Sequence, residues 1–239
     1  MTPLTFMTLN LWGYADWEAR KDTVLRLVKN TKADIIALQE VQTNLTYLPV
    51  PQSDFIAVNT DYKYSVFAPS HKKITQLNAQ GDPSGTVSHG LAILSRHPII
   101  SSETYFLEPQ PSHPEPCTVL FCKIQVSSSI IDVCNVHFGN NNTVSDLQLK
   151  ELIALCKERN LHPIILGDFN NFDLSRYKKD TLKGYALSTD ITTYTSMPRN
   201  QGTLDYIIAP SNFVIDTVSC PEEYVSDHRA VIAKLKEVQ

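Results

Sequence analysis

Short apolar runs recur along the chain, and most of them end abruptly in a polar side chain. Thr5 to Leu11 has the composition of a buried first strand, with Asn10 interrupting its end. Asp16 then stands where a helix N-cap belongs, and Trp17, Val24, Leu27 and Val28 follow at helical spacing. The run Asp34-Ile-Ile-Ala-Leu-Gln predicts a short strand closed by Glu40. Further strands are predicted over Tyr62 to Ala68, Gly90 to Leu94 and Ile99 to Phe106. Cys117 to Val126 and Ile130 to Phe138 flank Ser127-Ser128-Ser129 as an antiparallel hairpin. Ser145 with Gln148 forms a capping box for a helix whose apolar face is Leu149, Leu152, Ile153 and Cys156. Strands over Pro163 to Leu166, Leu204 to Ala209, Phe213 to Val218 and Ala230 to Leu235 complete the set.

Four polar stretches, Pro69 to His89, Glu108 to Pro116, Gly139 to Thr143 and Thr192 to Gly202, break this pattern and are expected to be loops. Long loops within compact domains commonly carry function. No linker, internal repeat or low-complexity tract is present, so the expectation over residues 1–239 is a single α/β domain with mixed sheets.

Composition narrows the class. The 239 residues suffice for a sizeable core, and 42% hydrophobic with 19% charged residues excludes a disordered chain or a coiled coil. The balance of 21 Lys and Arg against 25 Asp and Glu gives a net charge of -4, without the basic footprint that grips duplex DNA. No apolar run approaches the ~18 residues of a membrane span. The first residues lack the basic-then-apolar pattern of a secretory signal, and the five cysteines contain no CxxC. Buried free thiols in a cytoplasmic protein are expected.

The chemistry lies at the strand ends. Asn10, Glu40, His137, Asp168, Asn170, Asp205, Asp227 and His228 each adjoin an apolar strand, so they can converge at one end of a sheet. Taken singly, each has a plainer explanation. Glu40 reads as a solvated strand-end acid, Asn10 as a turn former and His137 as a half-buried histidine. Ser226-Asp227-His228 cannot act as a miniature hydrolytic triad, because adjacent strand residues point to opposite faces.

Taken in order, Leu9-Asn10-Leu11-Trp12, Leu38-Gln39-Glu40-Val41, Asn135-Val136-His137, Gly167-Asp168-Phe169-Asn170, Leu204-Asp205-Tyr206-Ile207 and Ser226-Asp227-His228 resemble the endonuclease/exonuclease/phosphatase superfamily. The likeness runs from residue 10 to residue 228, and Gly90 to Ile99 looks like the superfamily's recurrent strand before the central hairpin. It implies a four-layer α/β sandwich of two packed mixed β-sheets flanked by helices, with one active site at the top of the sheets. It also implies Glu40 as principal Mg2+ ligand (Mn2+ being an alternative), with Asn10 beside it and Asp227 completing the metal shell. Asp168 would position or deprotonate the attacking water, and Asn170 would hold a phosphate oxygen. His228 would contact the phosphoryl group with Asp205 orienting its ring, and His137 matches the histidine of the deoxyribonuclease and sphingomyelinase branches.

The expected activity is therefore a metal-dependent phosphodiesterase, monomeric, with nuclease action favoured over a sphingomyelinase-like or phosphoinositide-directed one. A non-catalytic module on the same fold would have lost some of these residues, and all are present. Arg199 is a candidate substrate contact, whereas Lys72 and Lys73 read as solvated loop charges. Tyr194 is the chief loop aromatic, so base stacking is only weakly signalled. Four of the acids belong to the implied centre, and the remaining 21 match the 21 Lys and Arg, so the negative charge does not oppose a phosphate substrate.

Overall fold

Two helical crossovers each join a pair of parallel neighbours within one sheet. The computed structural model describes residues 2–44, 48–77 and 83–238, with side chains described except at 44, 48–49, 71–77 and 83–87. In chain order the elements are β1 (Leu4–Asn10), α1 (Trp17–Thr31), β2 (Ile35–Asn44), β3 (Leu48–Pro51), α2 (Gln52–Val58), β4 (Tyr64–Leu77), β5 (Pro83–Ser95) and β6 (Ile99–Phe106). There follow β7 (Thr118–Val126), β8 (Ser129–His137), α3 (Asn142–Glu158), β9 (Ile164–Asp168), β10 (Tyr185–Leu187), β11 (Asp205–Pro210), β12 (Phe213–Ser219) and β13 (Val231–Glu237). One sheet runs β12-β13-β1-β2-β5-β4 with β3 added to β2, and the other runs β10-β11-β9-β8-β7-β6. Each sheet contains one parallel pair, β1 with β2 and β8 with β9. Parallel neighbours need a long crossover, and α1 and α3 supply one each.

Side-chain alternation separates three apolar layers. In β1, Leu4 and Phe6 face the space between the sheets, while Met7 and Leu9 face α1. Ile35 and Ala37 alternate with Ile36 and Leu38 in β2 in the same way. In the second sheet Ile131, Val133, Ile164, Leu166 and Ile207 point inward, and Cys134, Val136, Ile165 and Ile208 point towards α3. Helix α1 seats Trp17, Val24, Leu27 and Val28 on the first sheet. Helix α3 seats Leu149, Leu152, Ile153 and Cys156 on the second. The result is the expected α/β sandwich of two mixed sheets between helices.

Several expectations change. Most of the polar stretch from Pro69 to His89 is strand and not loop: β4 reaches Leu77 and β5 begins at Pro83, with Lys73 opposite Ser88 and Thr75 opposite Thr86, while residues 78–82 lie outside the described residues. The pairing is one of backbones, and no apolar alternation marks this stretch in the sequence. Strand β2 does not stop at Glu40 but runs on to Asn44. Helix α3 begins three residues before Ser145, capped by Asn141, whose side chain accepts from Thr143 N. The Ser145 hydroxyl instead donates to Asn142 O, and Gln148 Oε1 accepts from Gly139 N. Asp16 precedes α1 in a left-handed conformation and makes no side-chain cap. No disulfide joins the cysteines, and Cys122, Cys134 and Cys156 are buried. Among the described residues no helix is long and apolar enough to cross a membrane.

Candidate active site

The space between the sheets changes character towards one end. Below it is apolar. Next comes an amide layer in which Gln39 Nε2 donates to Asn135 Oδ1 (2.7 Å) and to Thr8 Oγ1 (3.0 Å). Asn135 Nδ2 donates to the main-chain oxygens of Leu38 and Ala92, both at 2.9 Å, so a second-sheet side chain closes onto first-sheet backbone. All three side chains are fully buried and mutually satisfied, which fixes the relative height of the sheets.

One step further along the same inward-facing positions lie Asn10, His137, Asp168 and Asp205. The parallel pairs deliver them from their carboxyl ends, where α/β sheets open their ligand crevices. Strand β11 runs antiparallel to β9, so its first residue, Asp205, arrives at the same rim directly opposite Asp168. His137 is the cross-strand neighbour of Asp168 on the other side. His228 enters just before β13, which is antiparallel to β1.

Glu40 reaches the rim by a different device. Between Leu38 and Val41 the pairing with β5 slips by one residue, and Glu40 takes φ +53° at that bulge. A bulge re-aims a side chain that would otherwise alternate away from the cleft. Asn10 Nδ2 then donates to Glu40 Oε1 and to Asp168 Oδ2, each at 3.1 Å, while its Oδ1 accepts from Trp12 N (3.0 Å). Asn10 thus presents its amide nitrogen, not its oxygen, to the carboxylates.

Asp168 is the hub. His137 Nε2 lies 3.5 Å and His228 Nε2 3.8 Å from Asp168 Oδ2, and His137 Nε2 is 4.0 Å from Glu40 Oε1. His228 Nδ1 pairs with Asp205 Oδ2 at 2.8 Å. Burial and the neighbouring Asp205 push the Asp168 carboxyl above its ordinary range, against the pull of His137 and His228. Burial also disfavours ionised Glu40, but His137, the Asn10 hydrogen bond, His89 and His228 bring it below its ordinary value. For His228, burial opposes the imidazolium and Asp205 overrides it, raising the pKa to about 10.

The Gly167-Asp168-Phe169-Asn170 turn is built for this position. Gly167 has φ +149°, and a Cβ there would fall 2.0 Å from Val136 O, so a side chain would force β8 and β9 apart. Asp168 Oδ1 accepts from Asn170 N at 2.9 Å, and Asn170 Nδ2 donates to Phe138 O at 2.8 Å. Phe169 packs edge-on against both Phe138 and Tyr206 beneath the site.

Sequence reasoning missed Arg20. Its guanidinium is only 2% exposed and bonds main-chain carbonyls: Leu11 (3.1 Å), Gly13 (3.3 Å), Ala15 (2.8 Å from Nε) and Val225 (2.6 Å). It lies over the rings of Trp12 and Trp17 at 5.5 and 5.9 Å. The same side chain therefore ties the loop after Asn10 to the segment before Asp227 and His228. Its helical spacing behind Trp17 was the available signal, though an arginine on a helix ordinarily reads as solvated.

Glu40, His137, Asp168, Asn170 and His228 line a cleft of about 490 Å³. Asp227 is half-buried, accepts from the Ser226 hydroxyl and does not line that cleft. Arg199 sits exposed on a 3₁₀ turn, Pro198–Asn200, and does not line it either. The side chains of Lys72 and Lys73 lie outside the described residues. Tyr194 turns inward, its hydroxyl donating to Asp205 O at 3.0 Å, so it supports the site and offers no stacking face.

The donor set suits a divalent cation. Ligating atoms of Asp168, Asp205 and His228 lie within 4.8 Å of one another, and Asp205 Oδ1 is buried without a hydrogen-bond partner. With Glu40 alongside, this many buried acids call for positive charge, and hard oxygen donors match Mg2+ or Mn2+.

Solved structures of other proteins share this sandwich fold. An endonuclease/exonuclease/phosphatase structure from Bacteroides vulgatus superimposes with a TM-score of 0.77 at 18% identity, covering 100% of both chains. The human Nocturnin catalytic domain with a bound sulfate anion gives 0.71 at 16% identity, covering 99% of this chain and 95% of that one. D. rerio TDP2 complexed with single-strand DNA product gives 0.70 at 15% identity, covering 99% and 100%. No curated protein matches the sequence. Residues 7–228 match the Endonuclease/Exonuclease/phosphatase family, and the chain belongs to it. Members of this family are in general metal-dependent hydrolases of phosphoester bonds.

Proposed function

We propose that this chain is a Mg2+-dependent phosphodiesterase that hydrolyses a single-stranded nucleic acid or nucleotide-like diester. The observation that carries this reading is the convergence on Asp168 of His137, His228 and Asn10, with Asp205 behind His228. Glu40, oriented by Asn10, would be the principal ligand of the cation, with Asp227 adding charge from behind His228. When bound, the cation supplies Lewis acidity and charge against the non-bridging phosphate oxygens.

The chain's own residues supply the remainder. Asp168, with its raised proton affinity, accepts a proton as water attacks phosphorus. His228 holds its proton on Nε2, because Nδ1 is committed to Asp205, and donates it to a phosphoryl oxygen where negative charge grows. His137 stands on the opposite side of Asp168 and contacts the same group. Asn170 keeps one amide hydrogen beyond its bond to Phe138 O for a phosphate oxygen. A new P–O bond to water forms as water gives its proton to Asp168, the ester P–O bond breaks, and the departing alkoxide takes a proton from solvent while Asp168 returns its own to solvent, leaving an alcohol and a phosphomonoester. The fold shared with sulfate-bound Nocturnin and with TDP2 holding single-strand DNA product supports a nucleic-acid-like diester.

The test is hydrolysis of bis-p-nitrophenyl phosphate, single-stranded DNA, RNA, plasmid DNA and sphingomyelin, with Mg2+ or Mn2+ and with EDTA. EDTA-sensitive cleavage of diesters, single-stranded nucleic acid above plasmid, is expected. Activity on none of them, or activity indifferent to EDTA, overturns the proposal.

A further inference from the structure

Two residues beyond Asn170 the chain carries an aromatic ring that the core does not take up. Phe169 is fully buried beneath the site, whereas Phe172 is 49% exposed. The turn that holds it is pinned on both sides. Asn171 is buried and donates from Nδ2 to Asp146 Oδ1 at 2.7 Å and to Ser145 Oγ at 3.2 Å, which fixes the backbone to α3. Its Oδ1 accepts from Asp173 N at 3.2 Å, and Asp173 Oδ1 accepts in turn from Ser175 N and Ser175 Oγ, at 2.9 and 2.6 Å.

The ring itself is seated on the segment before β11. A Cβ at Gly202 would fall 2.5 and 2.6 Å from two of its carbons, and Gly202 has no left-handed φ, so the missing side chain serves this approach. Gly202 closes a short hairpin with Met197, through Met197 N to Gly202 O at 2.9 Å and Gly202 N to Met197 O at 3.3 Å. Exposed Arg199 stands on the 3₁₀ turn within that hairpin. Just before it, Ser196 O accepts from Arg229 N at 2.7 Å, so the hairpin also borders His228.

A lone exposed phenylalanine is ordinary on a protein surface. Phe172 differs in being held in place and in standing at most about 7 Å of chain from Asn170, which lines the cleft. It also rests on a hairpin that carries a cation. An apolar partner has no use for that charge, whereas a nucleic-acid single strand needs π-faces for its bases and positive charge for its backbone. We infer that Phe172 is a stacking platform for a base of the substrate strand, just outside the cleft at the edge marked by Asn170. This rests on the phosphodiesterase reading and names how the same site recognises a single strand. Every base has a π-face, so the platform selects for unpaired bases and not for sequence. Bases within a duplex are already stacked and do not reach it.

The experiment compares kcat/KM for a single-stranded oligothymidylate and for a strand of equal length built from baseless tetrahydrofuran residues, so that the number of phosphates is the same. The wild type with Mg2+ is expected to favour oligothymidylate by about tenfold, in the range of one base–aromatic stack. Phe172→Ala should bring this ratio close to one, chiefly by raising KM for the base-bearing strand, and Phe172→Trp should keep it. A residue that only holds the loop would, when replaced, slow both strands together and leave the ratio unchanged. That result overturns the inference, as does a wild-type ratio of one. Bis-p-nitrophenyl phosphate separates the two levels: if its EDTA-sensitive hydrolysis is present while Phe172→Ala leaves the ratio unchanged, only the platform falls. If that hydrolysis is absent, the phosphodiesterase reading falls and takes the inference with it.

Discussion

Asp168 and Asp205 face one another across neighbouring antiparallel strands, and both carboxylates are buried. Two such groups cannot both ionise in an apolar setting without nearby positive charge. His228 answers Asp205 directly, at 2.8 Å, whereas Asp168 has only longer approaches from the two histidines. The pair thus leaves room for one more cation, and this governs the behaviour expected of the protein.

Added Mg2+ or Mn2+ should raise the melting temperature, and EDTA should reverse the rise. At a hundredfold excess over Kd, binding to the native state alone adds about 2.7 kcal/mol. Glu40→Gln should weaken the response by an order of magnitude or more in metal concentration. A melting temperature indifferent to metal would contradict a cation site here.

His228→Ala should lower kcat by about 100- to 1000-fold with a smaller effect on KM, the range found for deleting a donor that acts on transition-state charge. Asp205→Asn should lower kcat as well, because it removes the negative charge that holds His228 as the imidazolium through Nδ1. Steady-state kinetics on bis-p-nitrophenyl phosphate measures both, and an unaltered kcat in His228→Ala would remove it from the chemistry.

The metal-free protein should lose stability as the solution becomes alkaline. His228 titrates at about 10 in the folded chain and near 6.5 when unfolded. Below about pH 6.5 both states carry the proton, and the Asp205–His228 contribution is complete. Between these values only the folded state keeps the proton, so stability declines with pH and the contribution is gone above the folded pKa. Urea denaturation of EDTA-treated protein should show a fall of a few kcal/mol across this window. His228→Gln should show a flatter curve there; an identical slope would argue against the pairing.

Arg20→Met should destabilise the fold by about 3 kcal/mol or more, since it strands several buried carbonyls, each worth about 1–3 kcal/mol when unsatisfied. Because Arg20 spans the loop after Asn10 and the segment before His228, kcat should fall even at temperatures where the variant is fully folded. Denaturant melts paired with kinetics distinguish this from a purely structural loss.

Much of this site was legible in the sequence because the apolar strands are buried on both faces and stop abruptly, making Asn10, His137, Asp168 and Asp205 conspicuous. Strand pairing then follows from alternation, as with Ile35 and Ile36 dividing between two cores. Other features leave no such mark. The β4–β5 arm carries no apolar period, and α2 is only seven residues long. Asn141 as a cap was hidden by the equally good pattern at Ser145 and Gln148. The polar surroundings of Arg20 are main-chain carbonyls, which no side-chain pattern announces.

The one-residue slip at Glu40 has a further consequence. Beneath it β2 and β5 pair in one register, down to Ile35 opposite Ser95, and above it in another, with Val41 opposite Gly90. The slip works as an expansion joint. The upper part of β5, which carries His89 into the cleft wall, keeps its alignment separately from the strands that hold the core and Glu40. A change in length above the joint would leave the register beneath it, from Ile35 opposite Ser95 to Leu38 opposite Ala92, as it is.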